Sequence, residues 1–145
     1  MNLEIDYTSY GFKLERTAKR MRQSLQKKFN SLQIDITVDQ WVILDQLYMS
    51  SGMSQNELAD GTFKDAPTVT RIIDLLCKKE WAQRHGDKSD RRKFKIILTE
   101  KGLNLVKELL PTVIEWRKQG RKNINEVDFD NLLRILDSIF ANFDE

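Results

Sequence analysis

A chain of 145 residues, 40% hydrophobic and 32% charged, with six glycines and two prolines, holds one domain's worth of core. It does not read as a many-turned β-sandwich or a disordered tail. One histidine (His85) and one cysteine (Cys77) cannot make a Cys/His zinc set of about three or four ligands, nor an internal disulfide. The net charge is only +2, and no apolar run approaches the ~20 residues that span a membrane.

The first predicted helix is amphipathic. Leu14, Ala18, Met21, Leu25, Phe29 and Leu32 recur at helical spacing. Lys13, Arg16, Lys19, Arg20, Arg22, Lys27 and Lys28 fill its other face, opposed only by Glu15. That basic face is either a solvated surface or an electrostatic footprint. A second helix begins at Thr37, which forms a capping box with Gln40; Val38, Trp41, Leu44, Leu47 and Tyr48 supply its apolar face. Ser50-Ser51-Gly52 should end it.

Ser54 and Glu57 open a third helix as another capping box, with Met53 placed to staple onto Leu58. Gly61-Thr62-Phe63 interrupts it. After a four-residue turn, Asp65 caps a fourth helix with Pro67 in its first turn. Val69, Ile72, Ile73 and Leu76 form the buried stripe, and Thr68, Thr70 and Arg71 lie at or beside the opposite edge. Two short helices so joined read as a helix-turn-helix.

Beyond Lys79 the period changes to 2. Phe94, Ile96 and Leu98 alternate with Lys93, Lys95 and Ile97, so this is a strand with one face on the core. Residues 81–85 are its partner strand, and the charged, glycine-led stretch 86–92 is the hairpin tip. Thr99 caps a fifth helix with Leu103, Val106, Leu110 and Val113 inward, and Pro111 should kink it or shift its register. Asn125 caps a last helix carrying Phe129, Leu132, Leu133, Leu136, Ile139, Phe140 and Phe143.

The order is helix, helix, helix-turn-helix, basic hairpin, helix, helix. The expected class is mainly α with a small β-hairpin wing: a winged helix-turn-helix flanked by N- and C-terminal dimerisation helices. In such a lobe the fourth helix enters the major groove, so Asp65, Ala66, Pro67, Thr68, Thr70 and Arg71 face bases or phosphates. The wing tip brings Arg91, Arg92 and Lys93 to phosphates or the minor groove.

These residues resemble the MarR family of bacterial winged-helix regulators. The resemblance is carried by Glu57-Leu58-Ala59 and by Thr68-Val69-Thr70-Arg71-Ile72-Ile73-Asp74-Leu75-Leu76. Its most specific part is Asp90-Arg91-Arg92 followed by Leu98-Thr99-Glu100-Lys101-Gly102. It implies a single domain over residues 1–145, with a DNA-binding lobe at 37–99 and dimerisation helices at 1–34 and 100–145. It implies a homodimer on a near-palindromic operator, with Arg92 as the wing arginine and Asp90 as its orienting partner. Glu80 departs from the pattern, standing where the family usually ends the recognition helix with glycine; Thr62 replaces an apolar turn residue.

The resemblance also implies an effector crevice between lobe and platform, for which Phe12, Arg16, Trp41, Tyr48 and Trp116 are the available side chains. Aromatic walls beside a cation suit a small aromatic or lipophilic acid. The plainer readings stand beside these. Trp41 and Trp116 are core aromatics, Arg71 is a solvated charge or pairs with Asp65 or Asp74, and Arg92 only ties the tip to Asp90. Cys77 sits in an apolar helical run, as an inert buried thiol does, and His85 is a strand residue.

The expected function is a sequence-specific, dimeric DNA-binding transcriptional regulator, a repressor released by such a ligand. The alternative is an architectural or protein-interaction winged helix without a specific operator. No phosphate loop or nucleophile elbow is present, so no enzyme, cofactor or metal is expected. The first ten residues carry Glu4 and Asp6 without a basic region and read as no signal peptide; the lone cysteine fits a reducing cytoplasm.

Overall fold

A computed structural model describes residues 9–50, 52–90 and 92–145. Its elements run α1 (Tyr10–Ser31), α2 (Val38–Met49), β1 (Met53–Ser54), α3 (Gln55–Thr62), α4 (Ala66–Lys78), β2 (Ala82–Gly86), β3 (Phe94–Leu98), α5 (Glu100–Gly120) and α6 (Glu126–Asn142). Helix starts follow the capping chemistry. Thr37 and Gln40 exchange both bonds of a capping box, and Ser54, Asp65, Thr99 and Asn125 each accept the amide three residues on.

The core gathers the C-terminal end of α1, most of α2, the inner faces of α3 and α4, the wing root and the first half of α5. Phe29, Ile43, Leu44, Leu58, Ile73, Leu76, Ile96, Leu109 and Val113 are fully enclosed. Phe29 and Trp41 pack edge to face at 6.1 Å, joining α1 to α2. The stripe of α4 is Val69, Ile72, Ile73 and Leu76, as its spacing requires. No helix among the described residues is long and apolar enough to cross a membrane.

Several expectations shift. The wing is not a hairpin alone: two-residue β1 pairs antiparallel with β3, Met53 opposite Ile96, making a three-stranded sheet ordered β1-β3-β2. So short a strand has no period of its own; β3 supplies its partners. Gly61 lies inside α3, and the turn to α4 is only Phe63, Lys64 and Asp65, with the left-handed position taken by Phe63 at φ 54°. α5 runs unbroken through Pro111. Pro111 is exposed, so water can replace the missing bond to the Lys107 carbonyl. Its buried stripe is Gly102, Leu105, Val106, Leu109 and Val113, leaving Leu103 and Leu110 half-buried. Tyr48 points outward, as does Phe94, which lies beyond the reach of the core on the wing.

Two faces are left uncovered. α6 buries no residue. Val127, Leu132, Leu133, Ile135 and Phe140 on it and Phe143 at its C-cap are exposed, as are Tyr10, Leu14 and Met21 on α1.

The joint between wing and α5 is tight. The Trp81 carbonyl accepts the Thr99 amide at 3.1 Å, the Thr99 hydroxyl donates to the Glu80 carbonyl, and Gly102 donates its amide to that hydroxyl at 3.0 Å. A Cβ on Gly102 would lie 1.9 Å from the Trp81 oxygen. The Leu-Thr-x-x-Gly spacing therefore has a local cause: Thr99 caps α5 while Gly102 lets α5 touch the turn leaving α4. Glu80 takes φ 63° there, the left-handed conformation glycine adopts at less cost.

Candidate nucleic-acid interface

The first turn of α4 stands in solvent. Asp65, Ala66, Pro67 and Arg71 are exposed, and Thr68 and Thr70 half-buried. Asp65 Oδ1 accepts the Thr68 amide at 2.8 Å, and its carboxyl is held below the ordinary range, first by that backbone hydrogen bond and then by the Thr68 hydroxyl. The helix N-terminus thus already carries a carboxylate, and an incoming phosphate must rely on neighbouring cations as well as on backbone N–H groups.

Thr70 is committed. Its hydroxyl donates to the Ala66 carbonyl at 3.0 Å and accepts from Gln55 Nε2 at 2.8 Å. Gln55, at the start of α3, was not singled out by the sequence reading, and the pattern held no signal for it, because this bond spans the helix-turn-helix. Arg71 does not share Asp74, which pairs instead with Arg84 of β2. The α4–β2 pair ties the recognition helix to the wing.

The wing tip is organised by aspartates acting on the backbone. Asp90 Oδ1 accepts the Arg92 amide at 2.9 Å, and the Asp90 carbonyl accepts the Lys93 amide at 3.1 Å. Asp87 accepts both the amide and the hydroxyl of Ser89, the hydroxyl first among the causes that hold its carboxyl down. Asp90 therefore holds the main chain at Arg92, and Arg92, Lys93 and Lys95 are all exposed. Arg91 lies outside the described residues.

Of the five residues named for an effector crevice, Arg16 and Trp116 border a cavity of about 880 Å³ between α1, α5 and α6. Arg20, Arg117 and Arg121 edge it, and Met21, Ile124, Phe129 and Leu132 line its apolar wall. Arg121 sits over the Phe129 ring at 3.9 Å, and Trp116 Nε1 donates to the Met21 carbonyl at 3.0 Å. Trp41 is elsewhere, enclosed in the core, and Phe12 and Tyr48 do not border the cavity.

Cys77 is half-buried, and burial pushes its thiol above the usual range despite nearby Arg84. Such a thiol stays protonated and slow to react. Among the described residues no group of His, Cys, Asp or Glu could hold a metal ion.

The family model described as the MarR family matches residues 34–93. The HTH-type transcriptional regulator YhbI of Bacillus subtilis is 29% identical over 68% of this chain, and the chain spans 62% of that relative's length. The MepR–DNA complex of S. aureus superposes with a TM-score of 0.86 at 24% identity, covering 93% of this chain and 98% of MepR. Bordetella bronchiseptica BpsR, whose DNA binding is regulated by 6-hydroxynicotinic acid, gives 0.86 at 22% identity over 95% of this chain and 97% of its own. The helix-turn-helix, β2 and the wing tip lie inside the segment, residues 34–93, that matches the MarR family, and the chain as a whole shares the winged-helix fold of these structures.

Proposed function

We propose that the protein is a dimeric, sequence-specific DNA-binding repressor that reads a near-palindromic operator. One observation carries this reading: the exposed first turn of α4 and the cationic wing tip belong to one lobe, in which the Arg84–Asp74 pair joins α4 to β2. Thr68, the Thr70 methyl and Arg71 would meet base edges, with Ala66 and Pro67 allowing close approach of the backbone. Arg92 would enter the minor groove, and Arg91, Lys93 and Lys95 would sit on phosphates.

The uncovered faces of α1 and α6 support the dimer. A monomer rarely leaves so much contiguous apolar surface in water, and a second copy would cover both faces at once. Residues 1–34 and 100–145 would then form the platform and residues 37–99 the reading lobe. The first half of α5 and the end of α1 serve both, since their inward side chains complete the lobe's core. Two-fold symmetry would set the two α4 helices about 34 Å apart.

Selection of bound sequences from random DNA tests this reading. An enriched inverted repeat with half-sites one turn apart is expected. Binding that enriches no motif would overturn it in favour of an architectural winged helix.

The cavity favours an effector as well. Four arginines around an apolar, aromatic wall suit an aromatic or lipophilic acid, and the regulation of BpsR by an aromatic acid is consistent with that class. A coupling of about 1–3 kcal/mol would change DNA affinity ~5–150-fold. Titrating salicylate and longer carboxylates against the operator complex, read by tryptophan emission and DNA release together, tests it; binding without release refutes the switch.

A further inference from the structure

The turn between α3 and α4 holds more than its own two helices. Phe63 sits at φ 54°, a conformation unfavourable for a bulky side chain, and the residue is 78% exposed, so burial does not repay it. The ring meets Phe140 near the end of α6, edge to face, centroids 5.2 Å apart and planes at 86°. The start of α6 is held where Arg121 stacks on Phe129, and no residue between is buried. The helix is thus fastened to its own chain near both ends.

The next residue reaches the other platform helix. Lys64 Nζ donates to Asp39 Oδ1, and the same oxygen accepts from Arg22 of α1. The residue after that, Asp65, caps α4. Three consecutive residues therefore bind α6, bind α1 through Asp39, and start the recognition helix.

We propose that Phe63 and Lys64 are positioning residues for DNA recognition, through which the placement of α1 and α6 sets the orientation of α4. This rests on the DNA-binding reading above. Both contacts are directional. An edge-to-face ring pair loses its geometry when one helix slides, and a carboxylate oxygen shared by two cations holds α1 and the turn to one common point. Repacking of α1 and α6, whether by the second copy or by an occupant of the cavity, would reach α4 through these two side chains.

Phe63→Gly separates this role from a merely structural one. Glycine relieves the left-handed backbone and removes a largely exposed ring, so thermal stability should hold or rise. Affinity for the selected operator should fall about 2- to 12-fold per half-site, the range of an aromatic pair's coupling. Phe140→Ala should give the same loss, Phe140→Tyr should restore it, and the double variant should bind no worse than either single one. Sedimentation confirms that each variant keeps the wild-type assembly. Hydrogen exchange at the Thr68 and Val69 amides, both bonded to Asp65, should quicken in Phe140→Ala although that change lies far along the chain.

Additive losses in the double variant, or wild-type affinity in Phe63→Gly, would overturn the proposal. If the wild-type protein enriches no DNA motif, the DNA-binding reading falls separately. Exchange at Thr68 and Val69 then decides the coupling by itself: no change in Phe140→Ala refutes it.

Discussion

Gly102→Ala is the substitution whose effect the structure fixes most firmly, because two arguments give opposite signs. Gly102 lies in the first turn of α5, where alanine improves intrinsic helix stability by about 0.5–1 kcal/mol. Against this, the new Cβ would stand 1.9 Å from the Trp81 carbonyl oxygen and 2.8 Å from its carbon. That is ~1.5 Å inside ordinary contact, and both neighbours are backbone, so neither can rotate away. α5 must withdraw from the turn. Overpacking of this kind costs about 1–3 kcal/mol. Withdrawal also breaks the Thr99–Trp81 hydrogen bond, for about 0.5–1.5 kcal/mol more. The net expectation is a loss of ~2 kcal/mol, or about 4–8 °C in Tm for a chain of this size. Thermal and urea unfolding, followed by circular dichroism at one fixed protein concentration, measure it. Gly120→Ala is the control: it ends the same helix with nothing within 4 Å of its Cβ and should be neutral or slightly stabilising. If Gly102→Ala is as stable as that control, close approach is not the reason glycine follows Leu98-Thr99 in this chain.

Other outcomes follow from the same geometry. Glu80→Gly should raise stability by up to ~1 kcal/mol, since it removes a left-handed non-glycine residue and loses only an exposed 3.9 Å pair with Lys101; a lower Tm would contradict the turn. At Asp39, burial acts to raise the carboxyl's pKa, but hydrogen bonds from Lys64 and Arg22 outweigh it and leave the value below 3.8. A depressed carboxylate contributes its stability above the ordinary value and loses it as pH falls through the lowered one, so Asp39→Asn should flatten the stability–pH curve below pH 3.8, and an unchanged acid limb would refute the triad. On the selected operator, Arg92→Ala should cost about 1–3 kcal/mol and relax preference at the positions facing the wing, whereas Lys95→Ala should weaken all sequences alike and lower the salt slope by about one unit. Equal behaviour of the two variants would place Arg92 on phosphates only.

What the sequence disclosed was mostly local. Thr37 with Gln40, Asp65, Thr99 and Asn125 announce helix starts because the bonds they make lie within three residues, and the structure forms each one. The stripe of α4 is legible for a similar reason: its polar and apolar residues separate cleanly around one helix. On α5 the spacing is ambiguous. Leu103 and Leu110 fit helical periodicity as well as Leu105 and Leu109 do, and it is the packing of α5 against α1, α2 and the wing that buries the second pair. The hydroxyl of Thr70 looks free in sequence, and it is the fold that brings Gln55 to it.

The turn at Phe63 shows how a local signal can mislead. Gly61, which opens the Gly61-Thr62-Phe63 interruption in the sequence, instead continues α3, and an aromatic residue two positions later bears the unfavourable φ. Glycine there would make the same turn at less cost and would remove the ring that Phe140 of α6 meets. The exposed ring has a partner only because α6 returns to this point, so its value lies in the relation of two distant elements rather than in the turn itself. The same holds for Lys64, whose ammonium meets a carboxylate already shared with α1. Lys64 adds stability through that shared carboxylate, whereas an exposed Phe at φ 54° gives the turn itself no such gain; its physical use is the contact it makes with α6.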